Sequence, residues 1–133
     1  MPKDSQYHVG DVWRYKTREG EEESRLTVVQ VDVSKLGTIV HIAVDKLNWK
    51  NCEGGIVQEQ IPHMPFAKDA LEKSATIRIA SGHPLPAWEE GYEEWRRGFV
   101  SGHAGIYTIT ISQAVSLAER TWRTGLGCGS GER

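Results

Sequence analysis

Cysteine is scarce in this sequence, and long apolar runs are missing. The two cysteines, Cys52 and Cys128, form no C-x-x-C pair, so neither a zinc ribbon nor a thioredoxin-type site is expected. No stretch approaches the about 20 apolar residues that cross a bilayer. The polar start, MPKDSQYHVG, has no apolar segment of a secretory signal. We therefore expect a cytoplasmic protein with no membrane contact, whose two thiols are free.

An excess of basic residues is also missing. Lys and Arg number 16 against 18 Asp and Glu, which gives a formal net charge of −2. Because nucleic-acid binders carry a basic patch, no nucleic-acid partner is expected. The 133 residues are 38% apolar and 26% charged, as is typical of one globular domain. We assign residues 1–122 to that domain and the glycine-rich residues 123–133 to a flexible tail.

The first half of the chain has the composition of β-strands. GDVWRYKT alternates between two faces, and RLTVVQVDVS and TIVHIAVDKLNW are rich in β-branched residues. Their short connections predict an antiparallel meander over residues 11–49. Apolar pairs such as Val28-Val29 indicate a sheet that is partly covered on both faces. The following segment contains Pro62 and Pro65, and it is predicted as a loop with at most a short strand at Ile56–Gln60.

Helical patterns dominate the second half. A helix is predicted over residues 67–80, with a strand at 75–80 as the alternative, because Thr76, Ile77 and Ile79 have low helix propensity. A strand at 105–111 is expected to join the sheet. The last helix is QAVSLAERTW, with Ser112 as its N-cap. The predicted fold class is α+β, with an N-terminal antiparallel meander of three or four strands packed by two or three helices.

The clearest helical pattern is an aromatic stripe. Trp88, Tyr92, Trp95 and Phe99 follow the spacing i, i+4, i+7 and i+11, so they share one face of a helix. We expect at least three of these four side chains to bury against the sheet. Trp88, Tyr92 and Trp95 would form a partner-binding surface if they are exposed, a role in which tryptophan and tyrosine are common.

The tripeptide Ser-Gly-His occurs twice, at residues 81–83 and 101–103. Each copy lies where a predicted helix ends, and glycine just past a helix end adopts a positive φ easily. We therefore interpret both as helix stops. The spacing of His63, His83, His103 and Cys52 matches no known ligand pattern for zinc, so neither a metal nor another cofactor is predicted.

The same four residues are the candidates for catalysis. His63, His83 or His103 could act as a general base beside Cys52 or a carboxylate, provided that the fold brings them together. His41 lies in an apolar strand and is interpreted as a structural residue.

The missing motifs favour a non-enzymatic module that binds a protein, with an immunity-like or regulatory role. Four glutamates on the second helix would favour a basic partner surface: Glu89, Glu90, Glu93 and Glu94. Two alternatives stay open. One is a small hydrolase-type enzyme with a histidine base, and the other is a binder of small ligands with an aromatic pocket between sheet and helix. The sequence leaves the oligomeric state open.

Segments along nearly the whole chain resemble a set of uncharacterised small bacterial proteins. The segments are VGDVWRYKTREGEEESRLTVVQV, GTIVHIAVDKL, HMPF, EEGYEEWRRGF and AGIYTITISQAV. The resemblance implies a bacterial, stand-alone, single-domain protein, and it transfers no site residue.

Overall fold

The computed structural model describes residues 7–35 and 37–127, with only the backbone of Gln58. Within these residues, five strands and three helices follow one another along the chain. They are β1 (Val12–Tyr15), β2 (Leu26–Ser34), β3 (Gly37–Lys50), β4 (Ile56–Ala67), α1 (Lys68–Ser74), β5 (Ala75–Ala80), α2 (Glu89–Val100) and α3 (Ile111–Gly125). The strands form one antiparallel sheet in the order β4-β3-β2-β1-β5. The predicted α+β class and the N-terminal meander are confirmed.

The sheet is covered on both faces, as the apolar pairs in its strands predict. One face carries the main core, in which alternate residues such as Val40 and Ile42 of β3 pack with Leu71 of α1 and Val115 of α3. The opposite face carries Ile39 and His41, and α2 lies over it.

Strand β4 is the largest correction to the sequence analysis. The segment predicted as a loop is a strand of 12 residues that contains Pro62 and Pro65. Proline removes a ladder donor, and it is tolerated here because β4 lies at the edge of the sheet. Register shifts interrupt its pairing with β3 between Ile42 and Val44 and again before Leu47. Pro62 falls in the first of these bulges, where ladder pairing is already broken.

The predicted helix over residues 67–80 is wrong in its second half. It ends at Ser74, and residues 75–80 form β5, which pairs with β1. The strand alternative is therefore confirmed. The β-branched residues favour extended backbone, and the free edge of β1 supplies the hydrogen bonds that stabilise it.

A later segment also reaches the sheet, as predicted, but over a shorter length than 105–111. Tyr107 forms a parallel bridge with Phe66, in which its amide donates to the Pro65 carbonyl at 2.8 Å. The last helix then begins at Ile111, and its N-cap is Thr110 rather than Ser112. Thr110 and Gln113 form a reciprocal capping box. The helix continues to Gly125, beyond the boundary at residue 122, and residues 128–133 of the predicted tail lie outside the described residues.

The two Ser-Gly-His tripeptides have different roles. Gly102 ends α2 with φ +84°, and the amides of Gly102 and His103 donate to the carbonyls of Phe99 and Gly98. This double closure of the last turn confirms the predicted helix stop. Gly82 also has a positive φ, +64°, but it follows strand β5, so its interpretation as a helix stop is wrong.

Candidate functional site

Three polar side chains line up across neighbouring strands on the face beneath α2. Asp32 lies on β2, His41 on β3 and His63 on β4. In the β2–β3 register, Asp32 pairs with Ile39 and Gln30 with His41, which makes Asp32 and His41 diagonal neighbours on one face. The bulge between Ile61 and Met64 turns His63 toward the same face, where its ring stacks on His41 with centroids 5.0 Å apart.

These three residues, called here the Asp–His–His triad, are joined by hydrogen bonds. His41 Nε2 lies 3.1 Å from Asp32 Oδ2, and His41 Nδ1 lies 2.8 Å from His63 Nε2. Both ring nitrogens of His41 are therefore occupied. Because His41 lies between its two neighbours, the three side chains do not converge on one point. Among the described residues, no group of three or more His, Cys, Asp or Glu side chains could hold a metal ion.

The environment keeps the triad imidazoles neutral at pH 7. Burial lowers the pKa of His41, against the opposing effect of Asp32. Burial, and then the neighbouring His41, lower the pKa of His63 to about 4. A neutral His41 that donates from Nε2 to the Asp32 carboxylate must accept at Nδ1, so His63 donates from Nε2. His63 is thereby left with its lone pair on Nδ1.

Helix α2 covers the triad through its aromatic face. The Tyr92 hydroxyl donates to Asp32 Oδ2 at 2.8 Å, and the pKa of Tyr92 is raised by burial and by this hydrogen bond. The Trp95 ring meets His41 edge-on, with centroids 4.8 Å apart. Gly91 allows the close approach of the helix, since a Cβ atom there would lie 3.2 Å from the Cβ atom of His63. The helix therefore packs on the triad through one tyrosine, one tryptophan and one glycine.

Asp32 receives three hydrogen bonds and stays partly open. Tyr92 and His41 donate to Oδ2, and Gln30 Nε2 donates to Oδ1 at 3.1 Å. A carboxylate has about four acceptor positions, so one remains on Oδ1. The side chain is 28% exposed. This carboxylate is consequently held in one orientation and can still be reached from outside.

A cleft of about 300 Å³ opens beside Asp32. Its lining, called here the α2 cleft, includes Asp32, Tyr92, Trp95, Arg96 and Phe99. The Trp95 and Phe99 rings stack with centroids 4.7 Å apart, and the Trp95 indole N–H donates to the Gly105 carbonyl at 2.8 Å. The apolar wall of the cleft is thus fixed by ring stacking and by a hydrogen bond to the backbone.

The aromatic stripe is less buried than predicted. Tyr92 is buried, whereas Trp88, Trp95 and Phe99 are half-buried, so the expectation that at least three would bury is wrong. Trp95 packs on His41 with one part of its ring and lines the cleft together with Phe99, whereas Trp88 packs on Tyr92, so these three rings are only partly covered. Four acidic residues of the same helix are exposed: Glu89, Glu90, Glu93 and Glu94.

The catalytic candidates do not converge. Of the four, only His63 joins the triad. His83 lines a different cleft, and His103 Nδ1 lies 3.1 Å from the Ser101 hydroxyl after α2. Cys52 is disulfide-bonded, so it is not the free thiol that was expected and cannot act as a nucleophile in this form. Asp32 and His41, which complete the triad, were not among the candidates.

Two other clefts each contain a charged group that is already paired. One, of about 240 Å³, includes Arg25 and Asp45, which bond to each other at 3.0 Å. The other lies along α3 and includes Arg18, which is bound by Glu21 and Glu119, and Arg120, which makes no ion pair with a described residue. The α2 cleft differs from both because it combines Arg96, which makes no ion pair with any described residue, with the oriented and partly open carboxylate of Asp32. The α2 cleft is therefore the better candidate for binding.

No protein-family model matches this chain, and neither the curated proteins nor the solved structures provide a match. In the part of the chain that the structure describes, none of the helices has the length and apolar character needed to cross a membrane.

Proposed function

We propose that this protein binds a small organic molecule in the α2 cleft. The observation that carries the proposal is the Asp32 carboxylate, which is oriented by three donors yet still open to the cleft. Such a group is organised before a ligand arrives, so little ordering cost is left for binding.

The surroundings of Asp32 support this proposal. Small-molecule sites are concave and mostly apolar, contain a few oriented polar groups, and have volumes of roughly 300–1,000 Å³. The α2 cleft, at about 300 Å³, is at the lower end of that range and has aromatic walls. Trp95 and Phe99 offer flat surfaces for stacking. A compact ligand with one flat apolar part fits these features.

A fragment screen monitored by NMR tests the proposal. The chain has five tryptophans, and the indole N–H signal of Trp95 can be assigned with Trp95→Phe. We expect binding fragments to shift that signal and to lose affinity in Arg96→Ala. The matched control is Arg97→Ala, the next arginine of α2, which does not line the cleft. A screen whose hits leave the Trp95 signal in place would contradict the proposal.

A second candidate, a protein-binding module, is favoured by apolar residues at the rim of the same cleft. Val33 is 85% exposed and Val100 is 73% exposed. Together with the acidic side chains of α2, they would fit a partner with an apolar anchor and a basic surround.

A pull-down at low and moderate salt tests this second candidate. A partner of this module should bind wild type and Ile56→Asp, whose substitution lies at an exposed site at the start of β4, but not Val100→Asp. Recovery that is equal with all three proteins would argue against it.

The cytoplasmic location and the bacterial source stay predictions. The disulfide of Cys52 weighs against the cytoplasm, because reducing compartments keep thiols free. Alkylation of the protein in fresh lysate, before any reduction, tests the location: a labelled Cys52 would support a cytoplasmic protein.

A further inference from the structure

The α2 cleft contains two opposite charges that do not bond to each other. Asp32 keeps one acceptor position on Oδ1, and Arg96 carries five N–H donors. Their side chains line the same cleft, but no ion pair within 4.0 Å joins them among the described residues. The Arg96 charge interacts electrostatically with Tyr92, whose hydroxyl bonds to Asp32. Arg96 therefore acts at the end of the cleft where Asp32 lies.

An aromatic surface lies in the same cleft as the two charges. Tyr92, Trp95 and Phe99 line it, with Trp95 stacked on Phe99. Aromatic faces attract cations and also stack with flat apolar groups. A ligand that reaches both charges would therefore lay its apolar part on these rings.

We propose that the α2 cleft takes a small zwitterion with an aromatic or large apolar side chain, as in an aromatic α-amino acid. This inference rests on the proposed function. The ammonium group of the ligand bonds to Asp32, the carboxylate bonds to Arg96, and the side chain packs on Trp95 and Phe99. Arginine suits this role because its planar fork matches the geometry of a carboxylate.

The paired charges also explain how the cleft would select its ligand. A ligand with only an ammonium group gains Asp32 but meets repulsion from Arg96. A ligand with only a carboxylate gains Arg96 but meets repulsion from Asp32. Like charges brought together disfavour the wrong ligand, so specificity arises from repulsion as well as attraction. A zwitterion is favoured by both groups.

Three matched probes test the inference: L-phenylalanine, phenethylamine and 3-phenylpropanoate. They share one aromatic ring and differ in which charges they carry. Titrations followed at the Trp95 indole signal should show that L-phenylalanine binds about tenfold or more tightly than either singly charged probe. A factor of that size corresponds to one additional charge-assisted hydrogen bond.

Two variants assign each charge to its residue. Arg96→Gln should weaken the binding of L-phenylalanine and of 3-phenylpropanoate by about tenfold or more. Phenethylamine should bind this variant no more weakly than it binds wild type. Asp32→Asn should instead weaken the binding of L-phenylalanine and of phenethylamine. If Asp32→Asn fails to fold, Arg96→Gln decides, because Arg96 is exposed. Arg97→Gln is the control and should bind all three probes as wild type does.

The outcomes separate this inference from the proposed function. The zwitterion proposal is overturned if L-phenylalanine binds no better than the singly charged probes. It is also overturned if none of the three probes binds while other fragments shift the Trp95 indole signal. In both cases the α2 cleft remains a ligand site. If no fragment of any kind shifts Trp95, both proposals are overturned.

Discussion

His41 is fully buried, and its two neighbours satisfy both of its nitrogens. An imidazole buried without partners would be costly, whereas a fully bonded one stabilises a single arrangement of its surroundings. Asp32 plays the complementary part because it accepts from three donors. Loss of one of these donors should therefore cost more than loss of a hydroxyl that has no partner.

At the residue scale, Tyr92→Phe tests how much stability one donor to Asp32 contributes. The variant keeps the ring but removes the donor that lies 2.8 Å from Asp32 Oδ2. Hydrogen bonds to charged groups contribute about 1.5–3 kcal/mol, and the partial exposure of Asp32 reduces this, so we expect a loss of about 1–2 kcal/mol. The measurement is the free energy of unfolding in urea.

Tyr107→Phe is the matched control for Tyr92→Phe. Tyr107 is half-buried, and its hydroxyl has no hydrogen-bond partner among the described residues. The free energy of unfolding of Tyr107→Phe should stay within about 0.5 kcal/mol of the wild-type value, as is usual for substitutions away from bonded groups. Equal losses in both variants would mean that the bond to Asp32 contributes nothing.

Helix α2 is the element that joins the triad to the cleft. Tyr92 is its one buried residue, and the backbone of the helix lies close to His63 of β4 at Gly91. A glycine inside a helix normally lowers stability by about 1 kcal/mol relative to alanine. Its presence at residue 91 is explained by the space that the His63 side chain occupies.

At the element scale, Gly91→Ala tests whether the close packing of α2 on His63 requires a glycine at residue 91. The added methyl group would lie 3.2 Å from the Cβ atom of His63, so the helix or the strand must shift. Overpacking costs about 1–3 kcal/mol, which exceeds the gain in helix propensity, and we expect a net loss of about 1 kcal/mol. The shift should also move the Trp95 indole signal.

Gly125→Ala provides the comparison for Gly91→Ala. Gly125 is the last residue of α3, and a Cβ atom there would meet nothing within 4 Å. This variant should be neutral or stabilised by up to about 1 kcal/mol. If Gly91→Ala is stabilised to the same extent, the close packing of α2 on His63 is not a constraint.

At the scale of the whole molecule, the triad makes stability depend on pH. The pKa of His63 is about 4 in the folded protein and near 6.5 when unperturbed, and the pKa of His41 is also lowered. Between these pH values the unfolded chain binds a proton that the folded chain does not. Stability is therefore fully present above pH 6.5 and is lost as the pH falls toward 4.

We expect His63 alone to account for about 2 kcal/mol of stability lost between pH 7 and pH 4.5, since one pKa unit corresponds to about 1.4 kcal/mol. Urea unfolding of wild type and His63→Gln over this range measures the difference. His103→Gln, a histidine outside the triad, should keep the wild-type profile. If wild type and His63→Gln lose stability in parallel, the triad does not carry this pH dependence.

Sequence alone determined the features that depend on local pattern. The span of α2 follows from the 3.6-residue period of Trp88, Tyr92, Trp95 and Phe99, and its end at Gly102 follows from glycine chemistry. The β-branched content of residues 26–50 is enough to predict the meander. Such features are encoded within a few consecutive residues.

Only the tertiary structure decided that β4 is a strand and that a site forms beneath α2. The strand contains two prolines, which are unfavourable in a local pattern and become acceptable only at a sheet edge with bulges. Asp32 and His41 are nine residues apart, and His41 and His63 are 22 apart. Their hydrogen bonds depend on strand register and on one bulge, which arise from packing across the sheet, and no short stretch of the chain encodes them.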